Sequence, residues 1–487
     1  MMRRGVVLVI AAAGLAGCID WLGAEEEFCR QQPTPEGCPV LDAGQGGGGG
    51  GTGGGGEPDA GQDSGVPDAG PGTPQITFKV VPDGGITGEI LWMDGGLLCD
   101  GNAPCVFSFD AGTQLTFRGK PGNWAVLVGF RGCSAPVHGA CELTVTADAT
   151  VEAYFDRPNL VFVTSTSHQV GGFALLPDGG PGVDPIAHAN SLCAFHAADA
   201  GLPGNFIALL ATNSYDPLGP LSRARGWIRV DGKPVFDRLT AGSELASPLY
   251  PVSRNEFNGS VTTNADIASG LTPSGGVGST CSGYTSPTYS YALSVGSATF
   301  GGSAWFSSPP LNLCNGFYRL ACFGTDRSVP VQVDRSQPTN LVFVTTAAWR
   351  VDGGVPAADA LCAAEGAART GSDAGTFVAF LSTSAQDAFD RLGTSPRPWA
   401  RSDGVVVIPR PSEFRPPAIE LDAPFSNSTA TYFWVGSTMF NCGDWLSSSS
   451  NPRRGRAFDW TSQWYLFTTG PYAMCSDTMT RLACFQR

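Results

Sequence analysis

Few groups in this 487-residue chain have the type and spacing to do chemistry. Its four histidines are His138, His168, His188 and His196. His188 and His196 lie eight apart on a predicted helix, which gives neither an i+3 nor an i+4 neighbour to share a metal ion. Solvated or packed imidazoles account for them. No H-E-x-x-H, G-x-S-x-G or P-loop word occurs. The expectation is therefore no catalytic residue, no metal ligand and no cofactor. The Asp231-Gly232 and Asp403-Gly404 pairs read as turns rather than cation sites. The densest positive charge is Arg453-Arg454-Gly455-Arg456, in a predicted loop. Guanidinium forks recognise sulfate and carboxylate, so Arg453, Arg454 and Arg456 are candidates for holding an anionic ligand. The competing account is a solvated loop, in a chain with only three lysines among 29 basic residues. Trp434, Trp445, Trp460, Trp464, Tyr465 and Tyr472 could stack on sugar rings, but Trp305 occupies a place like that of Trp464. A shared core position is the better reading.

The elements that carry these residues are repeated. Asn159–Thr164 (NLVFVT) returns at 340–345, and each run is apolar enough for a buried strand. "GNFIALLAT" at 204–212 returns as "GTFVAFLST" at 375–383, and Trp227-x-Arg229-x-Asp231-Gly232 returns as Trp399-x-Arg401-x-Asp403-Gly404. "RLACF" closes both stretches, at 319–323 and 481–485. Leu192-Cys193 and Leu361-Cys362 sit in Ala-rich helical stretches, the first with Asp184 as N-cap and Pro185 in the first turn. Cys193, Cys281, Cys314 and Cys322 are separated by 88, 33 and 8 residues; Cys362, Cys442, Cys475 and Cys484 by 80, 33 and 9. Cysteines so close near the end of each copy are expected on neighbouring strands, each reaching a different partner.

Upstream, residues 75–156 alternate apolar and polar around Ile76–Val80, Gln114–Phe117 and Leu143–Val145, with turn words between, and read as all-β. Residues 41–74 are low in complexity and rich in Gly, Pro and Asp, a composition that cannot offset chain entropy by burial. Cys29 and Cys38, just before them, can close a small loop. The net charge of −14 is concentrated here: residues 19–74 hold ten acids and one base. Such a segment is expected to be an extended tether, and nothing in the balance suggests nucleic acid.

Three resemblances give these parts an expected identity. Arg3-Arg4, a nine-residue apolar run and Leu15-Ala16-Gly17-Cys18 resemble a bacterial lipoprotein signal and lipobox. The resemblance implies removal of 1–17, acylation of Cys18 and anchoring to a membrane through that lipid, with Ile19 favouring the outer membrane and the cell surface. Setting Cys18 aside leaves 14 of 15 cysteines, an even number that suits an oxidising compartment. Cys99, Cys105, Cys133 and Cys141, with a Gly-aromatic-x-Gly-Cys turn, resemble a small β-repeat domain of secreted bacterial proteins. Local pairing, Cys99–Cys105 and Cys133–Cys141, is expected among the three connectivities that four cysteines allow. The cysteine rhythm, the Leu-Cys helix and the terminal Arg-Leu-x-Cys-Phe are similar to the endostatin-type branch of the C-type-lectin-like fold and to a bacterial lipoprotein domain of that shape. That likeness implies an α+β tandem repeat, with domains at 159–324 and 340–487 joined by a linker at 325–339. It also implies nested cystines, Cys193–Cys322 around Cys281–Cys314 and Cys362–Cys484 around Cys442–Cys475. The calcium-site words of true C-type lectins do not occur in the repeats, and the zinc-binding histidines of endostatin are not carried over. The expected function is non-enzymatic binding or adhesion to a glycan or an extracellular protein. Alternatives are a carboxylate-dependent hydrolase or sugar-modifying enzyme, although no paired acids recur between the repeats, and a structural envelope spacer.

Overall fold

The computed structural model describes residues 73–487 except 83–85, 174–183, 352, 371–375, 415–420, 427–431, 435–441, 447–453, 457–474 and 476–479. Cys18, Cys29, Cys38, the Gly-rich stretch, Arg453, Trp460, Trp464, Tyr465 and Tyr472 lie outside the described residues. The described chain is mixed α+β and rich in strand, with four sheets.

Residues 75–156 form two four-stranded sheets. In one, Gln75–Pro82 lies between Cys105–Ser108 and Ala149–Asp156, with Val126–Arg131 outermost; in the other, Gln114–Pro121 lies between Gly88–Trp92 and Ala140–Thr144. The alternation read from the sequence points Ile76, Phe78 and Val80 inward from the first sheet. Leu115 and Phe117 point inward from the second, and the Phe78 and Phe117 rings meet edge to face at 5.1 Å. Cys99 is bonded to Cys105, and Cys133 to Cys141.

The word RLACF is the central strand of a larger sheet, twice. Arg319–Gly324 runs antiparallel to Asn159–Val163 and parallel to Asp266–Ala268, while Phe206–Ala208 caps its far end. Arg481–Gln486 repeats this against Asn340–Val344, Tyr432–Trp434 and Phe377–Ala379. Alternate side chains enter opposite layers. Leu320 and Cys322 join the layer under helix Pro185–Asp199, whereas Ala321 and Phe323 join a layer with Trp227, Phe236 and Trp305. Leu482 with Cys484, and Ala483 with Phe485, divide in the same way. Two-sided burial explains why the strand is a continuous apolar run.

The outer cystines, Cys193–Cys322 and Cys362–Cys484, fasten each long helix to this strand, with Cα atoms 5.5 and 5.4 Å apart. The inner ones, Cys281–Cys314 and Cys442–Cys475, each close 33 residues. Cys314 and Cys322 are not on neighbouring strands as expected. Cys314 follows the edge strand Ser308–Leu313, and two further strands separate that edge from Arg319–Gly324. Eight residues suffice to connect them because the chain turns back at 313–318, where Gly316 N–H donates to Leu313 O at 3.1 Å.

The segment expected as a linker is a packed strap. Val329, Val331 and Val333 are buried at alternate positions. The Val331 amide donates to Asp237 Oδ1 at 2.9 Å, and the Arg225 amide to Arg327 O at 3.1 Å. Val333 then packs with Tyr250 of the first repeat and Val405 and Ala423 of the second. Around this small core the Lys233 ammonium meets the Asp422 carboxylate, and the Val406 amide donates to Tyr250 Oη at 2.9 Å. Burial pushes the Tyr250 phenol up to about 12, so it stays a neutral hydrogen-bonding group.

Candidate functional site

One end of the first repeat gathers the residues best placed to act on something outside the chain. Three segments converge there: 164–173 after the first strand, 281–291 after the first inner cysteine, and 313–318. His168 pairs with Tyr318 as an isolated bridge, amide to carbonyl in both directions at 2.7 and 2.8 Å. A Cβ on Gly171 would lie 2.2 Å from Cys314 O, so the segments touch backbone to backbone and only glycine fits.

The local conformation begins at the inner cystine. Cys281, Ser282, Gly283 and Tyr284 all have positive φ, between 53° and 70°, forming a single left-handed turn. Cys442, Gly443, Asp444 and Trp445 repeat it, with φ from 55° to 67°. Left-handed geometry costs roughly 1–2 kcal/mol for each residue other than glycine, so packing must hold it. The fourth residue supplies that. Tyr284 is fully buried and donates to Ala211 O at 3.0 Å; Trp445 is fully buried and donates through Nε1 to Ser382 O at 2.7 Å. Those carbonyls occupy matching places at the ends of "GNFIALLA" and "GTFVAFLS".

On the outer side of this pinned turn, apolar side chains face solvent. Tyr289 is 74% exposed, Phe317 67%, Leu313 52% and Tyr291 49%. Register sets two of them side by side, Tyr291 and Leu313: Ala292 pairs with Leu313, and the Cys314 amide donates to Tyr291 O. The backbone beneath them is fixed by the Cys281–Cys314 cystine and by Tyr318 Oη, which donates to Leu313 O at 2.6 Å. These exposed side chains are therefore carried by a disulfide-closed base.

Beside this lip lies a polar cluster. Glu256, almost completely buried, accepts His196 Nδ1–H at 2.6 Å, the Ser165 amide at 2.8 Å and the Ser165 hydroxyl. His196 Nε2 stands 3.3 Å from His168 Nε2, and Thr166 Oγ1 lies 3.4 Å from the His168 nitrogen and 3.3 Å from that of His196. Burial lowers the His168 imidazole to about 4, helped by the neighbouring rings of His196 and His188, so it is neutral near pH 7. His188 is turned elsewhere, stacked on Phe173 with Nδ1 3.1 Å from the Phe173 carbonyl oxygen. His138 sits in the small β unit, where burial lowers its imidazole pKa. Sequence spacing along one helix could not reveal this cluster, because His168, His196 and Glu256 come from three separate segments. Among the described residues no three of His, Cys, Asp and Glu converge as a metal-holding group.

The other candidates are placed as follows. Arg454–Arg456 is not a loop, as expected, but a short strand paired antiparallel with Tyr432–Trp434. Among the described residues it is the last strand of the second large sheet, in the place that Ala292–Ser297 takes in the first, where Ser308–Leu313 pairs beyond it. Trp305, Trp434 and Trp445 are completely buried. Asp231 and Asp403 sit at turns, as Gly232 and Gly404 have φ of +83° and +87°. Their carboxylates are also engaged, each taking a fork from a buried arginine, Arg229 and Arg401 respectively. The six cystines among the described residues fit an oxidising compartment. Among the described residues no helix is long and apolar enough to cross a membrane. No protein-family model and no curated protein sequence matches the chain.

Proposed function

We propose that this chain is a surface lipoprotein whose two lectin-like repeats act as a non-enzymatic binding or adhesion module for a glycan or an extracellular protein. The observation that carries this reading is the lip of Tyr289, Tyr291, Leu313 and Phe317 on a base closed by Cys281–Cys314. Aromatic side chains offer large contact area at small entropic cost, and a base that is already rigid loses little more freedom on binding. Sheet order and the nested cystines support the endostatin-type, lectin-like reading of 159–324 and 340–487. The lipobox supports acylation of Cys18 and an outer-membrane destination, with the Gly-rich segment as spacer. Arg453, Arg454 and Arg456 are a second point of contact for an anionic polymer.

The test uses cells displaying the full chain, probed with an array of glycans and matrix proteins. A ligand should be retained by wild type and lost by roughly tenfold or more when Tyr289 and Phe317 both become Ala, the loss expected from two buried anchor residues. Replacing Cys18 by Ser should release the protein from the membrane fraction. Undiminished binding by the double variant refutes the lip, and unchanged fractionation refutes the anchor.

A further inference from the structure

The cluster next to the lip has the dimensions of a metal site. Thr166 Oγ1, His168 Nε2 and His196 Nε2 form a triangle with edges of 3.4, 3.3 and 3.3 Å. Donor atoms about 2.0–2.1 Å from a tetrahedral ion are separated from each other by about 3.3 Å, so the triangle matches one face of such a tetrahedron. The electronic arrangement also fits. His196 donates its Nδ1–H to the Glu256 carboxylate, so that Nε2 is the ring nitrogen turned into the triangle. A carboxylate behind a histidine is the usual outer support of a metal-ligating imidazole. Glu256 is itself fixed by the Ser165 amide. The Arg319 guanidinium is turned onto the carbonyl oxygens of Thr164 and Ser165. Thr166 is exposed, so water reaches the open side of the triangle.

The second repeat shows that the fold does not need these side chains. Its backbone follows the same path: the Thr345 amide donates to Leu482 O and the Trp349 amide to Thr480 O, as Thr164 and His168 donate to Leu320 O and Tyr318 O. Thr345 Oγ1 donates to Ala347 O as Thr164 Oγ1 does to Thr166 O. The three donor positions there carry Ala347, Trp349 and Glu365. Glu365 reaches directly from the helix to the Thr346 and Ala347 amides. In the first repeat Glu256 takes over the Ser165 amide from another segment. The helix position is thereby released for an imidazole.

We propose that the first repeat binds one divalent transition-metal ion of the zinc, copper and nickel group. The ligands are His168 Nε2 and His196 Nε2, with the Thr166 hydroxyl and solvent completing the coordination. Imidazole donors select these ions over calcium or magnesium. Glu256 is a positioning residue that fixes the His196 ring.

Equilibrium dialysis of the purified, chelator-treated full chain against zinc chloride tests this directly, with cobalt chloride as a second probe whose visible bands report tetrahedral coordination. Wild type should take up one zinc per chain at micromolar concentrations. His196→Gln and His168→Trp should each abolish uptake; the second variant installs the residue that the other repeat already accommodates. Glu256→Gln should weaken uptake about 10–100-fold, and His188→Ala should leave it unchanged. Absence of uptake by wild type, or uptake that survives both His168→Trp and His196→Gln, overturns the assignment. Circular dichroism of each variant without metal establishes that it is folded.

Discussion

Tyr284 and Trp445 differ in chemistry yet do one job. Each ends a left-handed turn and donates a hydrogen bond to a carbonyl at the end of the strand words shared by the two repeats. Tyr284→Phe keeps the ring and strands the Ala211 carbonyl. The expected loss is about 1–2 kcal/mol, read as a lower urea midpoint at unchanged m-value. A second residue-scale effect belongs to the buried Arg229–Asp231 pair and its counterpart, Arg401–Asp403. Burial alone would raise these carboxyls, but the arginine charge and hydrogen bonds outweigh it and hold both below the ordinary value. A carboxyl whose folded pKa is depressed contributes stability that is fully present above its unfolded pKa, near 4. That stability is lost as pH falls through the lower folded value. Urea midpoints should therefore fall progressively as pH drops below about 4. Asp231→Asn should start from a lower midpoint and show a flatter acid limb, and an unchanged limb would remove this pair from the account.

At the scale of elements, the nested cystines divide the work. The outer bond closes 129 residues in the first repeat and 122 in the second, whereas the inner bonds hold one surface loop each. Replacing Cys193 and Cys322 together by Ala should cost about 2–5 kcal/mol, measured by denaturant unfolding. The same pair of changes at Cys281 and Cys314 should cost less and chiefly loosen the lip, seen as faster amide exchange across 281–318. Much of this layer was legible in the sequence. Repetition marked the paired strand words, and Asp184 announced its helix by accepting the Ile186 amide at 3.0 Å. The left-handed turns were not legible, since Cys-Ser-Gly-Tyr and Cys-Gly-Asp-Trp share only a cysteine and an aromatic. The imidazole cluster was not legible either, because His168 and His196 are 28 positions apart and Glu256 is a further 60 along, so that only tertiary folding joins them. The arginine strand was misread as a loop because its pairing partner, Tyr432–Trp434, is itself only three residues long.

At the scale of the molecule, the strap has a practical consequence. Cutting the chain after Gly324, where the repeat word ends, would strip Val329 and Val331 from the first repeat and uncover the groove they fill. Cutting before Asn340 would leave Val405 and Ala423 of the second repeat without the cover of Val333 and Tyr250. Neither half would be a clean fragment: each would carry a raw apolar seam and tend to self-associate. Dissection of this protein therefore calls for surface substitutions in the intact tandem rather than truncation, and any bivalent engagement would be governed by a spacing fixed at that seam.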